Sequence, residues 1–394
     1  MEETKIYKFS ELCSKIGSGA TPKGGKESYL GGDIALIRSQ NVLDFNFSVD
    51  GLAYINNEQA QKLNNVSIEE NDVLLNITGD SVARACMAPS WILPARVNQH
   101  VAIVRGNADL VLNDYLLYFL QYKKSYLLSI SQGGATRNAL TKRMIEDIEL
   151  LLPNLSHQRK VVSILRSLDD KIELNRRIND NLEQQAQAWL NELLNKYADS
   201  TTVLIHEIAE INPKRNLSKG TSAKCIEMAN LPTIGSFPNG WIEKEYNGGM
   251  KFRNGDTLIA RITPCLENGK TAFINFLDKD EIAYGSTEYI VISTKSNYSS
   301  SFFYFLARNH DFVDYAVKNM NGSSGRQRVS GDTIGKYRIP VIPREKLESF
   351  MSHAEITLKT IKDNSLQNMR LSMIRDALLP KLMSGELKVN DLNS

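Results

Sequence analysis

Self-similarity constrains this chain more than any other feature of its sequence. Asp72-Val-Leu-Leu-Asn-Ile-Thr78 is echoed by Asp256-Thr-Leu-Ile-Ala-Arg-Ile-Thr263 with one residue inserted, and Asn98-Gln-His-Val-Ala-Ile-Val104 by Ser286-Thr-Glu-Tyr-Ile-Val-Ile292. Gly133-Gly-Ala-Thr-Arg137 corresponds to Gly322-Ser-Ser-Gly-Arg326, and Pro153 to Pro343. A long stretch of helical periodicity follows each of those prolines. The offsets run from 184 to 190 residues, drifting as loop insertions would make them. Ordered echoes at nearly one offset mark a duplicated structural unit.

The two helical stretches set the topology. From Ser156, a good N-cap residue, Leu165, Leu168, Ile172, Asn175, Asn179, Leu182, Ala186, Trp189 and Leu193 alternate at spacings of three and four. That is a coiled-coil seam with a polar step in its middle. The second stretch, about 345–379, offers Leu347, Phe350, Ala354, Leu358, Ile361, Ser365, Met369, Met373 and Ala377, and Pro380 with Gly385 is expected to end it. Segments 1–153 and 201–343 read differently: short β-rich runs (Val73–Ile77, Val101–Arg105, Thr257–Ile262, Tyr289–Ile292) alternate with turns and with helical patterns at Leu112–Tyr126 and Ser301–Lys318. The expected class is α+β: two similar mixed α/β domains, 1–153 and 201–343, with helices in 154–200 and 344–394. If a twofold relates the halves, the helices lie antiparallel and hold the domains apart.

Composition bounds the function. The 394 residues suit more than one core, and 42% hydrophobic with 23% charged residues is ordinary globular composition. No apolar stretch is long enough to cross a bilayer and no signal core opens the chain, so a cytoplasmic protein is expected. Four cysteines lie far apart, which excludes a zinc ribbon and disfavours a disulfide framework. Forty-seven basic against forty-five acidic residues give +2, less than a protein holding nucleic acid alone usually carries. Catalytic signatures are missing: no Gly-x-Gly-x-x-Gly turn, no phosphate loop, no tetrapeptide beginning Asn-Pro-Pro or Asp-Pro-Pro, no His-Glu-x-x-His spacing.

Local motifs then resemble a known family, the DNA specificity subunit of type I restriction–modification systems. Ile16-Gly-Ser-Gly-Ala-Thr-Pro22 with Gly31-Gly-Asp-Ile-Ala-Leu-Ile37 looks like the entry to its target recognition domains. Asn71-Asp-Val-Leu-Leu-Asn-Ile-Thr-Gly79 and Gly255-Asp-Thr-Leu-Ile-Ala-Arg261 look like its central strand. Leu151-Leu-Pro153 running into His157-Gln-Arg-Lys-Val-Val162 resembles the junction into its first conserved helix, and Leu378-Leu-Pro-Lys-Leu-Met-Ser-Gly-Glu-Leu387 the end of its second. The chain departs where the family often has Glu-Gln after the proline, with His157-Gln158 and Glu345-Lys346, and its second domain begins with Glu210-Ile-Asn-Pro213. The resemblance implies a non-catalytic subunit whose domains each read half of a bipartite double-stranded DNA target, with the helices setting the gap. It further implies two methyltransferase subunits carrying S-adenosylmethionine, and restriction and translocase subunits using ATP and Mg. The near-zero charge leaves a coiled-coil adaptor with two protein-binding heads as the alternative, and a self-sufficient methyltransferase as a third reading.

Base readout needs side chains that present paired donors and acceptors, chiefly Arg, Asn and Gln, while Lys, Arg, Ser and Thr position the phosphates. The densest such loops are Thr136, Arg137 and Asn138 with Lys142, and their counterparts Ser323, Ser324, Arg326, Gln327 and Arg328. Strand-end candidates are Arg38, Gln40, Asn41, Asn76 and Thr78 in the first half, and Arg261 and Thr263 in the second. Arg84, Arg96, Asn98, Gln99 and His100 are weaker candidates, and Trp91, Trp189 and Trp241 are expected to be core anchors. No cofactor or metal is expected in this chain.

Overall fold

The computed structural model describes residues 5–21, 29, 31–132, 138–295, 298–323 and 325–388. Two compact units make up the chain, 1–170 with 371–394 and 171–370. The division falls inside both long helices.

The first unit is built on an antiparallel sheet in the spatial order Cys13–Ser18, Val101–Gly106, Val73–Asn76, Ala85–Met87. All four residues of the central strand Val73–Asn76 are buried, because both sheet faces are covered. Val73 and Leu75 pack with the helix Asn113–Tyr122 and the long helices, whereas Leu74 packs with a three-stranded sheet ordered Ala53–Ile55, Ile34–Ile37, Ala95–Val97.

The second unit repeats this plan. Its sheet runs Ala209–Ile211, Tyr289–Thr294, Thr257–Ala260, Thr271–Phe273, and Leu258 and Ile259 again face different cores. The smaller sheet runs Ile242–Glu245, Ser222–Ile226, Ala283–Gly285, with an additional strand Met250–Phe252. Both central strands begin at a buried aspartate. Asp72 takes Arg105 Nε at 2.6 Å, and Asp256 takes Arg215 Nη2 at 2.7 Å and Ser293 Oγ at 2.6 Å.

Register corrects the repeat alignment. Val73 lies opposite Val104 and Asn76 opposite Val101, just as Thr257 lies opposite Ile292 and Ala260 opposite Tyr289. No residue is therefore inserted in the central strand. Asn76 corresponds to Ala260, Ile77 to Arg261 and Thr78 to Ile262, and Thr263 lies one residue further on. The helical patterns are also broken: Lys123 separates Asn113–Tyr122 from Lys124–Ser131, and Asn309 separates Ser300–Arg308 from His310–Lys318. Trp189 meets Phe350 edge-on at 5.8 Å and Trp241 stacks on Phe276 at 4.1 Å, as anchors should. Trp91 does not: it is 66% exposed on the short turn Ser90–Ile92, with an edge contact to Phe47.

The long helices are Leu155–Lys196 and Arg344–Met383. Pro380 does not end the second: the helix continues to Met383 although proline lacks the N–H that would donate to the carbonyl four residues before it. Gly385, at φ +77°, ends it, with Leu387 N donating to Lys381 O at 3.0 Å. The second seam also differs from expectation. Met369 and Met373 are exposed, and the inward positions after Ile361 and Ser365 fall to Asn368, Arg375, Leu379 and Leu382. Successive four-residue steps drift about 40° each around a helix, so Met369, Met373 and Ala377 turn away from the seam, whereas alternating three and four holds it. In the second unit Asn175 Nδ2 donates to Gln367 Oε1 at 2.7 Å and Asn368 Oδ1 at 2.8 Å, and Asn364 Nδ2 donates to Asn179 Oδ1 at 2.8 Å. These pairs run antiparallel. In the first unit Asp169 accepts Arg375 Nη1 at 2.8 Å and the Tyr118 hydroxyl at 2.7 Å, while Arg375 lies 3.8 Å over the Phe45 ring.

Asn175→Leu removes a fully buried amide and leaves the half-buried Asn368 acceptor without its donor, while the exposed Gln367 can turn to water. It should cost about 1–3 kcal/mol in urea denaturation, and adding Asn368→Leu should recover part of that loss.

Candidate nucleic-acid interface

The end of the central strand is where polar groups gather in each unit. In the first, Ile77 N donates to His100 O at 2.9 Å, and Ile77 O accepts from Leu140 N at 2.8 Å. Segments 76–81, 98–100 and 138–140 thus meet. The turn Ser39–Asn41 joins them, because Asn76 Nδ2 donates to Ser39 O at 2.8 Å and Val42 O at 3.1 Å. Together they frame an open cleft of about 490 Å³ whose polar walls are Ser39 and Gln40, Thr78 to Ser81 with Arg84, and His100 with Asn138.

This geometry divides the first-half candidates. Asn138 is exposed at the cleft, Gln40 is exposed there with its Nε2 donating to Asp50 O at 2.9 Å, and Thr78 reaches it with its hydroxyl 2.6 Å from His100 Nδ1. Lys142 is exposed on the helix Lys142–Glu146, 3.4 Å from Glu146. Asn41 and Asn76 are fully buried and serve as braces: Asn41 Nδ2 donates to Ser48 O at 3.0 Å and its Oδ1 accepts from Arg38 N at 3.0 Å. Arg38 is tied down as well, donating to Gly51 O and lying 5.4 Å over the Tyr29 ring. Thr136 and Arg137 lie outside the described residues, as does Ser324 in the second half. Arg96 is held by Ala60 O and Asn64, and Asn98 is buried.

The second unit builds the same junction with other side chains. Arg261 N donates to Glu288 O at 3.0 Å and Arg261 O accepts from Val329 N at 3.0 Å, so Glu288 stands where His100 stands, and Arg328 where Ala139 stands. Thr263 Oγ1 accepts from Gln327 N at 3.2 Å, and Thr263 N donates to Gln327 O at 3.1 Å, which pins the loop 321–328 to the strand. Ser323 and Arg326 are exposed on that loop. Arg328 is engaged: its Nε and Nη2 donate to Glu288 at 2.7 to 3.0 Å. Those hydrogen bonds hold the Glu288 carboxyl below its ordinary range. A depressed folded value means that the pair stabilises at neutral pH and is lost as pH falls through it.

Sequence reasoning missed Glu288 and undervalued His100. The echo between 98–104 and 286–292 already placed them at one position, and unlike side chains on a shared frame were the signal to follow.

Comparisons with known proteins agree with this plan. Residues 1–184 match the type I restriction modification DNA specificity domain. The MjaIX type I restriction enzyme specificity subunit of Methanocaldococcus jannaschii is 25% identical over 98% of this chain and 94% of its own length. The HindI specificity subunit of Haemophilus influenzae is 21% identical over 74% of this chain and 81% of its own. In fold, the chain is similar to the S subunit of a type I restriction–modification system from M. genitalium, with a TM-score of 0.55 at 13% identity over 97% of this chain and 96% of that one. The first 184 residues thus match a specificity-domain model, and nearly the whole chain is similar to type I restriction enzyme specificity subunits.

Bracing and exposed residues should separate on stability. Asn76→Ala releases two buried carbonyls and should cost about 1–3 kcal/mol in urea denaturation, whereas Gln40→Ala and Asn138→Ala should stay within about 0.5 kcal/mol of the parent.

Proposed function

We propose that each domain reads one half of a bipartite double-stranded DNA target, and that the long helices set the gap between the halves. The observation that carries this reading is a duplicated frame with an unduplicated surface. Equivalent backbone hydrogen bonds hold His100 with Ala139 in one unit and Glu288 with Arg328 in the other. Two identical surfaces would suit a symmetric target, whereas one frame carrying different donors and acceptors suits two different half-sites.

In this reading Gln40, Thr78, Asn138 and Lys142, with Thr136 and Arg137, face DNA from the first domain. Arg261, Thr263, Ser323, Arg326 and Gln327, with Ser324, face it from the second. Arg38, Asn41, Asn76 and Arg328 brace those surfaces. Two methyltransferase subunits dock on the long helices, where Leu174 and Ile178 on the first and Met373 and Ile374 on the second leave apolar area exposed. Restriction and translocase subunits complete the enzyme, and S-adenosylmethionine, ATP and Mg belong to those partners. The net charge of +2 suits a subunit that shares the phosphate clamp with them. We assign the complex to the cytoplasm; no described helix is long and apolar enough to cross a membrane.

The test uses the complex with its methyltransferase subunits, reading adenine methylation across a random DNA library. Replacing residues 1–153 by another family member's first domain should change one half of the target and leave the other. Deleting the matched heptads 172–178 and 365–371 shortens the helix pair by about 10 Å, which is roughly three base pairs of B-form DNA. The gap should shorten accordingly or activity should vanish. A change in both halves after the swap, or full activity at the original gap after the deletion, contradicts the proposal.

A further inference from the structure

Arg261 stands apart from the other candidate readers in how little engages it. It is half-buried at the end of the central strand Thr257–Ala260, and both of its backbone groups are committed, N–H to Glu288 and C=O to Val329. The guanidinium has no hydrogen-bond partner among the described residues, and its Nε is buried unpaired. Buried donors are ordinarily satisfied, and here neither Nε nor the terminal nitrogens of a half-buried strand-end arginine have a partner among the described residues, which leaves the fork open to an acceptor from outside. Arg38 also has a buried unpaired Nε, but its Nη2 donates to Gly51 O, so its fork is partly closed. Arg328 is the contrast, since its fork closes on Glu288.

The neighbourhood selects the acceptor. Glu288 accepts twice from Arg328, so its carboxylate is held while the Arg261 fork remains open. Arg261, Glu288 and Arg328 together carry one net positive charge, which favours an electron-rich partner. At the corresponding position of the first domain stands Ile77, only 8% exposed, with His100 and Ala139 beside it. Among the described residues, the position equivalent to Arg261 carries no cation in the first domain, where Arg84 lines the cleft from the neighbouring turn instead.

We propose that Arg261 is the principal specificity determinant of the second domain and that it reads a guanine in that half-site, with the Glu288–Arg328 pair as its positioning frame. An arginine fork matches the O6 and N7 acceptors that guanine presents in the major groove. The inference rests on the DNA-reading function above and narrows it to one residue, one half and one base.

The experiment again uses the complex with its methyltransferase subunits on a random library. The second half-site is the half that changes when residues 201–343 are exchanged. It should contain a guanine whose selection over other bases falls about tenfold or more in Arg261→Lys, which keeps the charge and loses the planar fork. Arg261→Ala should relax the same position, with the first half and the gap unchanged. Glu288→Gln, which loosens the frame, should broaden that position less. Near-parental urea midpoints would show that the lysine and glutamine variants are folded. Uniform weakening on every sequence would identify Arg261 as a phosphate contact and overturn the inference. So would an unchanged motif, or a second half-site without guanine. A parent complex that methylates without a split motif would instead overturn the function on which the inference stands, so the two failures are distinguishable.

Discussion

The structure depends on a polar layer inside an apolar seam. Asn175 and Asn179 meet Asn364, Ser365, Gln367 and Asn368 where a two-helix seam ordinarily takes Leu or Ile. Such a layer contributes less stability than an apolar one. It penalises slippage, because a shift by one heptad buries amides without partners. For a molecule whose proposed task is to fix a distance, register matters more than strength. Two helices with uniformly apolar seams would hold more tightly and fix their register less well.

Around that seam the chain repeats one solution to a packing problem. A short central strand, buried on both faces, starts at a buried carboxylate paired with arginine and ends where three loops converge. The conserved part of the repeat is backbone: equivalent carbonyls and amides hold equivalent segments. Variation is confined to side chains at the open end, where Ile77, His100 and Ala139 in one half face Arg261, Glu288 and Arg328 in the other. In the proposed reading, such a frame with replaceable tips lets the base preference of one half change without disturbing the other.

Much of this was legible in the sequence, for physical reasons that can be named. Helical periodicity over some forty residues survives local noise, so the first seam and its polar step at Asn175 and Asn179 were readable. The echo from Asn98 to Val104 gave the correct correspondence between His100 and Glu288. Failures came where neighbours decide. The second seam was read through Met369 and Met373 because apolar character outweighed spacing, although inward polar positions such as Asn368 keep the regular alternation. Asn41 and Asn76 have the right chemistry for reading adenine, yet carbonyls distant in sequence claim their amides. Trp91 is exposed despite its size, which only its place on a surface turn explains. A side chain's type states what it can bond, and only the fold states whether that bond is already made.

The most direct test of the account is the adenine methylation pattern left across a random DNA library by the intact complex of this subunit with its methyltransferase subunits. The account predicts two short, different blocks of specified bases separated by a fixed number of unspecified positions. A single uninterrupted motif, two blocks at variable separation, or methylation without sequence preference would contradict it.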